Sequence, residues 1–302
     1  MNAAHARPSI DELSIAANGL NFRALACGPD DGPLVLLLHG FPECALGWRH
    51  QLTALGAAGL RAVAPDQRGY GGTDKPIGIR SYGIDHLADD IVELAAALGQ
   101  PTFRLVGHDW GGIVAWHLAS TRPAVLERMA ILNAPHLGVA ARFARRHPLQ
   151  WVKSAYVGYF QLPVIPELSL TSWNCGLLVA ALERSSRPGA FSTEDLQAYR
   201  AAWTQPGAMT AMLNWYRAMA LQPPESANRI AVPVRVIWGD RDSALEPGLA
   251  EESASLCDTV EVVHLPDATH WLQHEEIDRV NALLLEFLKP QRAVRHRSAA
   301  TA

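Results

Sequence analysis

An aspartate flanked by glycines, at the junction of an apolar strand and an apolar helix, constrains this chain more than any other feature. Residues 103–112 read FRLVGHDWGG, and the helical run IVAWHLA follows directly. Small residues on both sides of one polar residue allow a sharp strand-to-helix turn that presents a nucleophile. An aspartate in this place can also simply cap the following helix. Taken alone, the pattern leaves both interpretations of Asp109 open.

Strand-like and helical segments alternate along most of the chain. Short apolar runs bounded by turn residues occur at 34–38, 62–64, 103–107, 129–132, 234–238 and 260–264. Between them lie helical patterns, of which the segment 84–98 is the clearest, with apolar residues at i, i+3, i+4 and i+7. Asn18-Gly19 near the start predicts a hairpin turn. The alternation predicts an α/β fold with a mostly parallel sheet and flanking helices.

The alternation stops between about residues 134 and 228. This interval is rich in Trp, Tyr, Met and Leu and is interrupted by prolines, and it contains no convincing central strand. We interpret it as an inserted helical cap, or lid. The predicted organisation is therefore a first part of the core at 1–133, the cap at 134–228 and a second part of the core at 229–289. Residues 290–302 are expected to form a disordered, solvated tail.

Composition excludes several classes of protein. The 302 residues carry a formal net charge of -4 without a long basic run, so a nucleic-acid partner is not expected. The start lacks the apolar core of a signal peptide, and no apolar stretch approaches the length of a membrane span, which predicts a cytoplasmic protein. The four cysteines show no CxxC pairing, and neither a metal site nor a dinucleotide fingerprint is indicated. No cofactor is expected, and the oligomeric state stays open.

Two further motifs supply candidate partners for Asp109. The first is the GDRD segment after a predicted strand, with Asp240 and Asp242. The second, VEVVHLPDATH, offers His264, Asp267 and His270. Nucleophile, acid and histidine in this chain order match one arrangement of a catalytic triad. We select Asp242 and His270, with Asp240 and Asp267 as rivals that would be ordinary turn residues.

The segments HGFPE, GHDWGG, GDRD and ATHW, in this order, resemble the soluble epoxide hydrolases of the α/β-hydrolase superfamily. The resemblance extends from the predicted hairpin to about Leu288. It implies the α/β-hydrolase fold and a covalent ester on Asp109, which His270 and Asp242 then hydrolyse. The N–H groups of Phe41 and Trp110 would form the oxyanion hole.

The cap carries two tyrosine motifs that fit this family. Tyr159 lies in a YFQ segment and Tyr216 in NWYR, and the resemblance implies that their hydroxyls hold the epoxide oxygen. Each tyrosine taken singly could equally be a packing aromatic of the lid. Trp110, Phe160 and Leu213 are the residues expected to contact a small apolar epoxide, whose other reactant is water. The sequence after YFQ, LPVIPE, departs from the usual family pattern.

Two other functions fit part of the pattern. Haloalkane and haloacid dehalogenases would use the same Asp109 and His270, and GHDWGG alone does not separate them from epoxide hydrolases. A small-molecule receptor without catalysis is possible on any enzyme fold. The full set of acid, histidine and tyrosines favours the epoxide hydrolase. An esterase is disfavoured because the turn holds neither serine nor cysteine.

Overall fold

The structure is a computed structural model that describes residues 9–221 and 228–289. The predicted tail at 290–302 lies outside the described residues, as do the first eight residues of the predicted core and residues 222–227 of the predicted cap. The strands are β1 (Asp11–Ala17), β2 (Leu20–Cys27), β3 (Leu34–Leu38), β4 (Arg61–Pro65), β5 (Phe103–His108), β6 (Leu126–Leu132), β7 (Val234–Gly239) and β8 (Val260–Leu265). The helices of the sheet region are α1 (Arg49–Ala57), α2 (Ile84–Ala97), α3 (Trp110–Thr121), α10 (Gly248–Ala254), α11 (Leu272–Glu275) and α12 (Ile277–Leu288), and those of the cap are α4 (Leu137–Arg146), α5 (Pro148–Lys153), α6 (Ala155–Phe160), α7 (Ile165–Ser185), α8 (Thr193–Trp203) and α9 (Ala208–Leu221).

The strands form one sheet of eight in the order β1-β2-β4-β3-β5-β6-β7-β8. From β4 to β8 every neighbouring pair is parallel, and the first two strands add to the sheet in the antiparallel sense. Every residue of β3, β5 and β7 is buried, which is what strands covered by helices on both faces require. The predicted fold class is confirmed.

The hairpin at the chain start forms where Asn18-Gly19 was expected to turn. Asn18 has φ 47° and Gly19 has φ 74°, and this pair of positive angles matches the twist of two antiparallel strands. The register then pairs Ala17 with Leu20 and Asp11 with Ala26.

Helices cover the two faces of the sheet with separate apolar cores. Side chains of α2 and α3 contribute to the larger core, which continues into the cap. Leu52 and Leu55 of α1 pack with Leu284 and Leu288 of α12 in a second core on the opposite face. Burying such leucines contributes about 1.5–3 kcal/mol each. The carboxyl ends of the central strands are thereby held as a rigid platform for the loops that follow them.

Helices α4 to α9 form the insertion between β6 and β7. A capping box at Ser192 begins α8: its hydroxyl accepts from Asp195 N–H, and the Asp195 carboxylate accepts from Ser192 N–H. Tyr199 and Trp203 of this helix are fully buried. The Trp203 indole N–H donates to the Pro42 carbonyl at 2.5 Å. The cap is therefore attached to the loop that follows β3.

The sequence led us to expect no apolar stretch as long as a membrane span, and the cap helix α7 is an exception. Among the described residues it alone has the length and apolar composition of a span, with a mean hydropathy of 1.2. Our expectation counted uninterrupted apolar residues and so overlooked it. The helix is broken between Ser172 and Cys175, and Glu167 in its first turn forms an ion pair with Arg217. These features are those of a cap helix, and the cytoplasmic location stays a prediction.

Candidate active site

The glycine-flanked aspartate stands on a sharp turn between β5 and α3. Asp109 has φ 50° and ψ -120°, a conformation that costs energy for any residue with a side chain. A Cβ on Gly111 would lie 2.1 Å from the Leu38 carbonyl oxygen, and one on Gly107 would lie 2.4 Å from that of Gly111. Only glycine fits these two places. The turn therefore holds the Asp109 carboxylate at the carboxyl edge of the sheet, as the sequence pattern predicted.

The loop after β3 supplies a hydrogen-bond donor to this carboxylate. Phe41 N–H donates to Asp109 Oδ1 at 2.8 Å. Gly40 allows the close approach, because a Cβ there would lie 2.3 Å from the Asp109 Cβ. Trp110 is the first residue of α3, so its N–H has no acceptor within the helix. The structure thus brings together both predicted oxyanion-hole residues.

A buried histidine and a second aspartate complete the polar part of the site. His270 Nδ1 donates to Asp242 Oδ2 at 2.6 Å, and its Nε2 lies 3.6 Å from Asp109 Oδ2. The Asp242 Oδ1 atom accepts from the N–H groups of Ala244 and Leu245. Asp242 is thereby fixed as an anion that orients the imidazole.

Neither rival acid faces His270. Asp240 pairs with His264 Nδ1 at 2.5 Å, and the exposed Asp267 pairs with Arg241 at 2.8 Å. His264 Nε2 also contacts the Glu251 carboxylate at 2.6 Å. These residues form a surface ion cluster beside β8 and take no part in the site.

Asn133, which the sequence did not single out, braces the acid from the other side. Its Nδ2 donates to Asp242 Oδ2 at 2.6 Å, and its Oδ1 accepts from Gly239 N–H at 2.7 Å. The residue is fully buried and has φ 38°, a conformation that asparagine tolerates better than most residues. The only signal in the sequence was an asparagine directly after a predicted strand, and it is a weak one.

The pKa of His270 reflects two opposing influences. Burial lowers it, but the negative charges of Asp242 and Asp109 and the hydrogen bonds to them outweigh burial and raise the pKa to about 10. Burial also raises the pKa of Asp242, yet the charge of His270 and its hydrogen bonds lower that pKa below the usual value. At neutral pH the imidazole is therefore a cation between two carboxylates.

Tyr216 of α9 lies over the site among aromatic side chains. Its ring packs edge-on against Trp110 with centroids 5.0 Å apart, and against Phe41 at 5.4 Å. Phe160 contacts the same ring at 5.0 Å. Burial, followed by the nearby Tyr156 hydroxyl and the Asp109 charge, raises the pKa of Tyr216 well above its ordinary value. A protonated phenol beside a carboxylate is a suitable proton donor.

The second tyrosine at the site is Tyr156. Its ring lies 6.0 Å from that of Tyr216, in an edge-to-face arrangement. The residue as a whole is 36% exposed, yet burial of its phenol group, together with the charges of Asp109 and Asp242, raises its pKa. The Tyr156 phenol is therefore close enough to both carboxylates of the site for their charges to disfavour its ionisation.

Tyr159, the tyrosine we had selected, lies elsewhere. Its hydroxyl forms a hydrogen bond with the Ser169 hydroxyl, which in turn donates to the Pro166 carbonyl at 3.0 Å. This bond ties α6 to the first turn of α7 and leaves Tyr159 half-buried in the cap. The structure does not bring Tyr159 to Asp109, and Tyr156, one helical turn earlier on α6, occupies the position expected for it.

The expected substrate contacts differ in their placement. Trp110 and Phe160 are both buried and both touch Tyr216. Leu213 is fully buried within α9 as part of the larger core. The first two therefore lie beside the tyrosine pair, whereas Leu213 has the environment of an ordinary core residue.

A small pocket lies beside Trp110, and Trp110 and Trp215 form part of its wall. Trp116 and Met219 also line it. These side chains make the immediate surroundings of Trp110 aromatic. Asp109, His270, Tyr156 and Tyr216 are not among the residues that line it.

A second buried polar network surrounds Glu43, which the HGFPE motif contains but to which we assigned no role. Its carboxylate accepts from Tyr199 O–H at 2.9 Å, from Gln273 Nε2 at 3.0 Å and from His274 Nε2 at 2.6 Å. His108 Nδ1 lies 3.3 Å from the same carboxylate. The members come from four separated parts of the chain, so no local spacing could have identified them.

This network touches the site through one residue. His108 Nε2 donates to the His270 carbonyl at 2.9 Å, and its Nδ1 lies 3.2 Å from Gln273 Nε2. The imidazole of His108 also packs against that of His270, with centroids 4.7 Å apart. Glu43 and His108 thus position the backbone of His270.

Within residues 9–221 and 228–289, no group of three His, Cys, Asp or Glu residues could hold a metal ion.

We expect Glu43→Gln to lower the free energy of unfolding by roughly 3–5 kcal/mol, because an amide would face donors that now meet a buried charge. Burial raises the pKa of Glu43, but the charges and hydrogen bonds of His274 and His108 outweigh it and hold the pKa well below 4.5. This stabilisation is present above the unfolded-state pKa and is lost as the pH falls through the folded-state value. Urea titrations at several pH values measure both effects.

The matched control for this variant is Tyr199→Phe, which removes one donor and leaves the carboxylate in place. Its expected cost is smaller, roughly 1.5–3 kcal/mol. If Glu43→Gln and the parent protein have equal free energies of unfolding across the acid range, the Glu43 network does not stabilise the fold.

Comparisons with known proteins agree with this geometry. The family model for the α/β hydrolase fold matches residues 33–277. The AB hydrolase superfamily protein YfhM of Bacillus subtilis is 47% identical over 92% of this chain and 97% of its own length. Human epoxide hydrolase 4 is 37% identical over 92% of this chain and 78% of its own length.

A solved structure is similar over nearly its whole length. The epoxide hydrolase of Bacillus megaterium, in complex with an inhibitor, superposes with a TM-score of 0.84 at 30% identity, and the match covers 91% of this chain and 99% of that one. The catalytic platform, the cap and the sequence relationships lead to one assignment: the chain belongs to the epoxide hydrolase family of the α/β-hydrolase superfamily.

Proposed function

We propose that the protein converts an apolar epoxide and water into a vicinal diol through a covalent ester on Asp109. The observation that carries this proposal is the pair of phenols, Tyr156 and Tyr216, placed beside a carboxylate that stands on a nucleophile turn. Opening an epoxide creates a basic alkoxide, which needs a proton donor. Relatives named epoxide hydrolases, among them the human protein, support the same reaction.

A carboxylate suits the first step because attack at a saturated carbon needs no prior deprotonation. Asp109 Oδ1 is held by Phe41 N–H, whereas Oδ2 lies on the side of His270, 3.6 Å from its Nε2. Oδ2 therefore forms the bond to the epoxide carbon. The carbon–oxygen bond of the ring breaks, and the departing oxygen takes a proton from one tyrosine while the other donates a hydrogen bond.

The second step is hydrolysis of the ester. Esterification removes the negative charge of Asp109, one of the influences that raise the pKa of His270. The imidazole then loses its proton more readily, and the proton released balances the one that the tyrosine gave away. Neutral His270, oriented by Asp242, removes a proton from water as the water attacks the ester carbonyl.

Negative charge in this second step develops on Oδ1. Phe41 N–H already donates to that atom, and the free N–H of Trp110 at the start of α3 is the second donor. A preorganised donor pair of this kind is worth roughly 100-fold or more in rate for each member. Collapse of the tetrahedral intermediate releases the diol and restores Asp109.

An apolar substrate fits the surroundings of the site. Phe41, Phe160 and Trp110 surround the Tyr216 ring, with centroids 5.0–5.4 Å from it. Such walls favour epoxides with an aryl or alkyl substituent over small polar ones.

A single turnover in heavy-oxygen water with excess enzyme tests the covalent route. Water attacks the ester carbonyl, so the label is expected in the peptide that contains Asp109, and the diol of this first cycle is expected to be unlabelled. Peptide mass analysis after digestion measures the first, and mass analysis of the diol measures the second. Label in the first-cycle diol alone would exclude the ester.

A further inference from the structure

Exposed large hydrophobic side chains concentrate on one part of the cap, between residues 149 and 177. Elsewhere in the described chain they occur in small numbers, such as Ile77 and Val260. Large exposed apolar patches on a soluble domain mark interaction sites. We name this set the cap apolar face: Leu149, Trp151, Val152, Leu162, Val164, Ile165, Leu168, Trp173 and Leu177.

The most unusual members of the cap apolar face are two highly exposed tryptophans. Trp173 is 80% exposed and Trp151 is 62% exposed. Indole rings are among the side chains that gain most from leaving water, so their exposure is costly unless something covers them. Indole rings are also enriched where a membrane meets water.

The cap apolar face rests on a well-connected support. Arg217 of α9 donates to both carboxylate oxygens of Glu167 and to the Leu162 carbonyl. The bond between Tyr159 and Ser169 ties α6 to α7. The exposed side chains therefore belong to helices that are anchored from beneath, and their exposure is part of the folded cap.

Positive charge accompanies the cap apolar face. Arg142 and Arg145 on α4 are exposed, and in the described part of the chain neither forms an ion pair. From the start of α4 to the end of α7, residues 137–185, the basic residues are these two, Arg146, Lys153 and Arg184, and the acids are Glu167 and Glu183. Arg146 is paired with Glu252, and Glu167 is paired with Arg217. This part of the cap is thus cationic in a chain whose formal net charge is -4.

From this combination we propose that the cap apolar face binds peripherally to the surface of an anionic lipid bilayer. Interfacial binding grows with the apolar area that enters the headgroup region and with attraction between basic residues and anionic lipids. The tryptophans supply the first, and Arg142 and Arg145 supply the second. The cap lies on the membrane and does not cross it.

Charge favours lipid over a second copy of this chain. A symmetric dimer would bring the same surface of two molecules together. Two surfaces of the same positive charge would then meet, and like charges at an interface are unfavourable. An anionic bilayer offers both an apolar interior for the tryptophans and negative headgroups for the arginines.

The position of Tyr156 connects the cap apolar face with the candidate active site. Tyr156 is exposed and lies within the same stretch of the cap, and its ring packs against Tyr216, which contacts Trp110 beside Asp109. An apolar epoxide dissolved in lipid would have a short path from the bilayer to the site. This consequence rests on the proposed function, whereas binding to vesicles does not, so the two can fail separately.

Sedimentation of the full chain with lipid vesicles tests the proposal. We expect binding to vesicles of phosphatidylglycerol and phosphatidylcholine in equal amounts, and much weaker binding to phosphatidylcholine alone. Arg142→Gln with Arg145→Gln should weaken the anionic binding roughly 25-fold, because each basic residue near such a surface contributes about fivefold. Trp151→Ser with Trp173→Ser should weaken binding to both kinds of vesicle.

Ile77→Ser is the matched control, because Ile77 is 98% exposed on the core outside the cap. It should bind as the parent protein does. Absence of binding to anionic vesicles, or binding that the tryptophan substitutions leave unchanged, would overturn the proposal. Sedimentation velocity without lipid adds one more decisive result: a parent dimer that the tryptophan variant abolishes would assign the cap apolar face to a second copy instead.

Discussion

Replacing His270 by glutamine is expected to stop the reaction halfway, with the substrate bonded to Asp109. The first step needs Asp109 and the tyrosines, whereas the second needs a base to activate water. His270 Nε2 is the only imidazole nitrogen that the described residues place next to Asp109, at 3.6 Å. Steady-state turnover should fall by roughly 10⁴-fold or more. Intact-mass spectrometry after addition of an epoxide should show a protein that carries the mass of one substrate.

Asp109→Asn is the matched control for this experiment, because it keeps the size of the side chain and removes the nucleophilic charge. It should show neither turnover nor an adduct with epoxide. An unmodified His270→Gln protein that still releases diol would remove His270 from the hydrolytic step and leave the ester mechanism without a base.

Replacing both Tyr156 and Tyr216 by phenylalanine is expected to slow epoxide opening by roughly 10²–10⁴-fold, the usual contribution of a positioned proton donor. Each single variant should lose less, because the remaining phenol still donates. Rapid-mixing measurements of ester formation isolate this step from hydrolysis. Tyr159→Phe should alter it little, since the Tyr159 hydroxyl is bonded to Ser169 in the cap.

The same variants separate the two chemistries that the sequence left open. A halide ion leaves without a proton, so a dehalogenase would retain its rate in the Tyr156→Phe, Tyr216→Phe protein. Halide release from bromoalkanes, measured beside diol formation, provides that comparison. Parental rates of epoxide opening in the double variant, or a larger loss in Tyr159→Phe, would refute the role of this tyrosine pair.

The sequence predicted those parts of the site that depend on short local patterns. Glycines at 107 and 111 are required by contacts with neighbouring backbone, so the turn around Asp109 could be recognised from residue types alone. The HGFP segment could likewise be recognised from residue types, because only a glycine at position 40 allows Phe41 to lie beside Asp109. Asp242 and His270 followed because each lies just after a strand, and the carboxyl ends of parallel strands share one edge of the sheet.

The tyrosines show where local patterns stop being sufficient. Tyr156 and Tyr159 are three residues apart on α6, which has only six residues. Which of them meets Tyr216 depends on how this short helix is rotated against α9, and tertiary contacts set that rotation. The hydrogen bond from Tyr159 to Ser169 is one such contact, and no spacing in the sequence reveals it.

The contacts between α8 and the loop after β3 limit how this lid can move. Trp203 donates to the Pro42 carbonyl, and Tyr199 donates to Glu43, while Phe41 in the same loop holds Asp109. A rigid-body movement of the whole cap would therefore also displace the loop after β3, and with it the N–H group that holds Asp109. We therefore expect substrate entry and product release to leave α8 in place, with any movement confined to other parts of the cap.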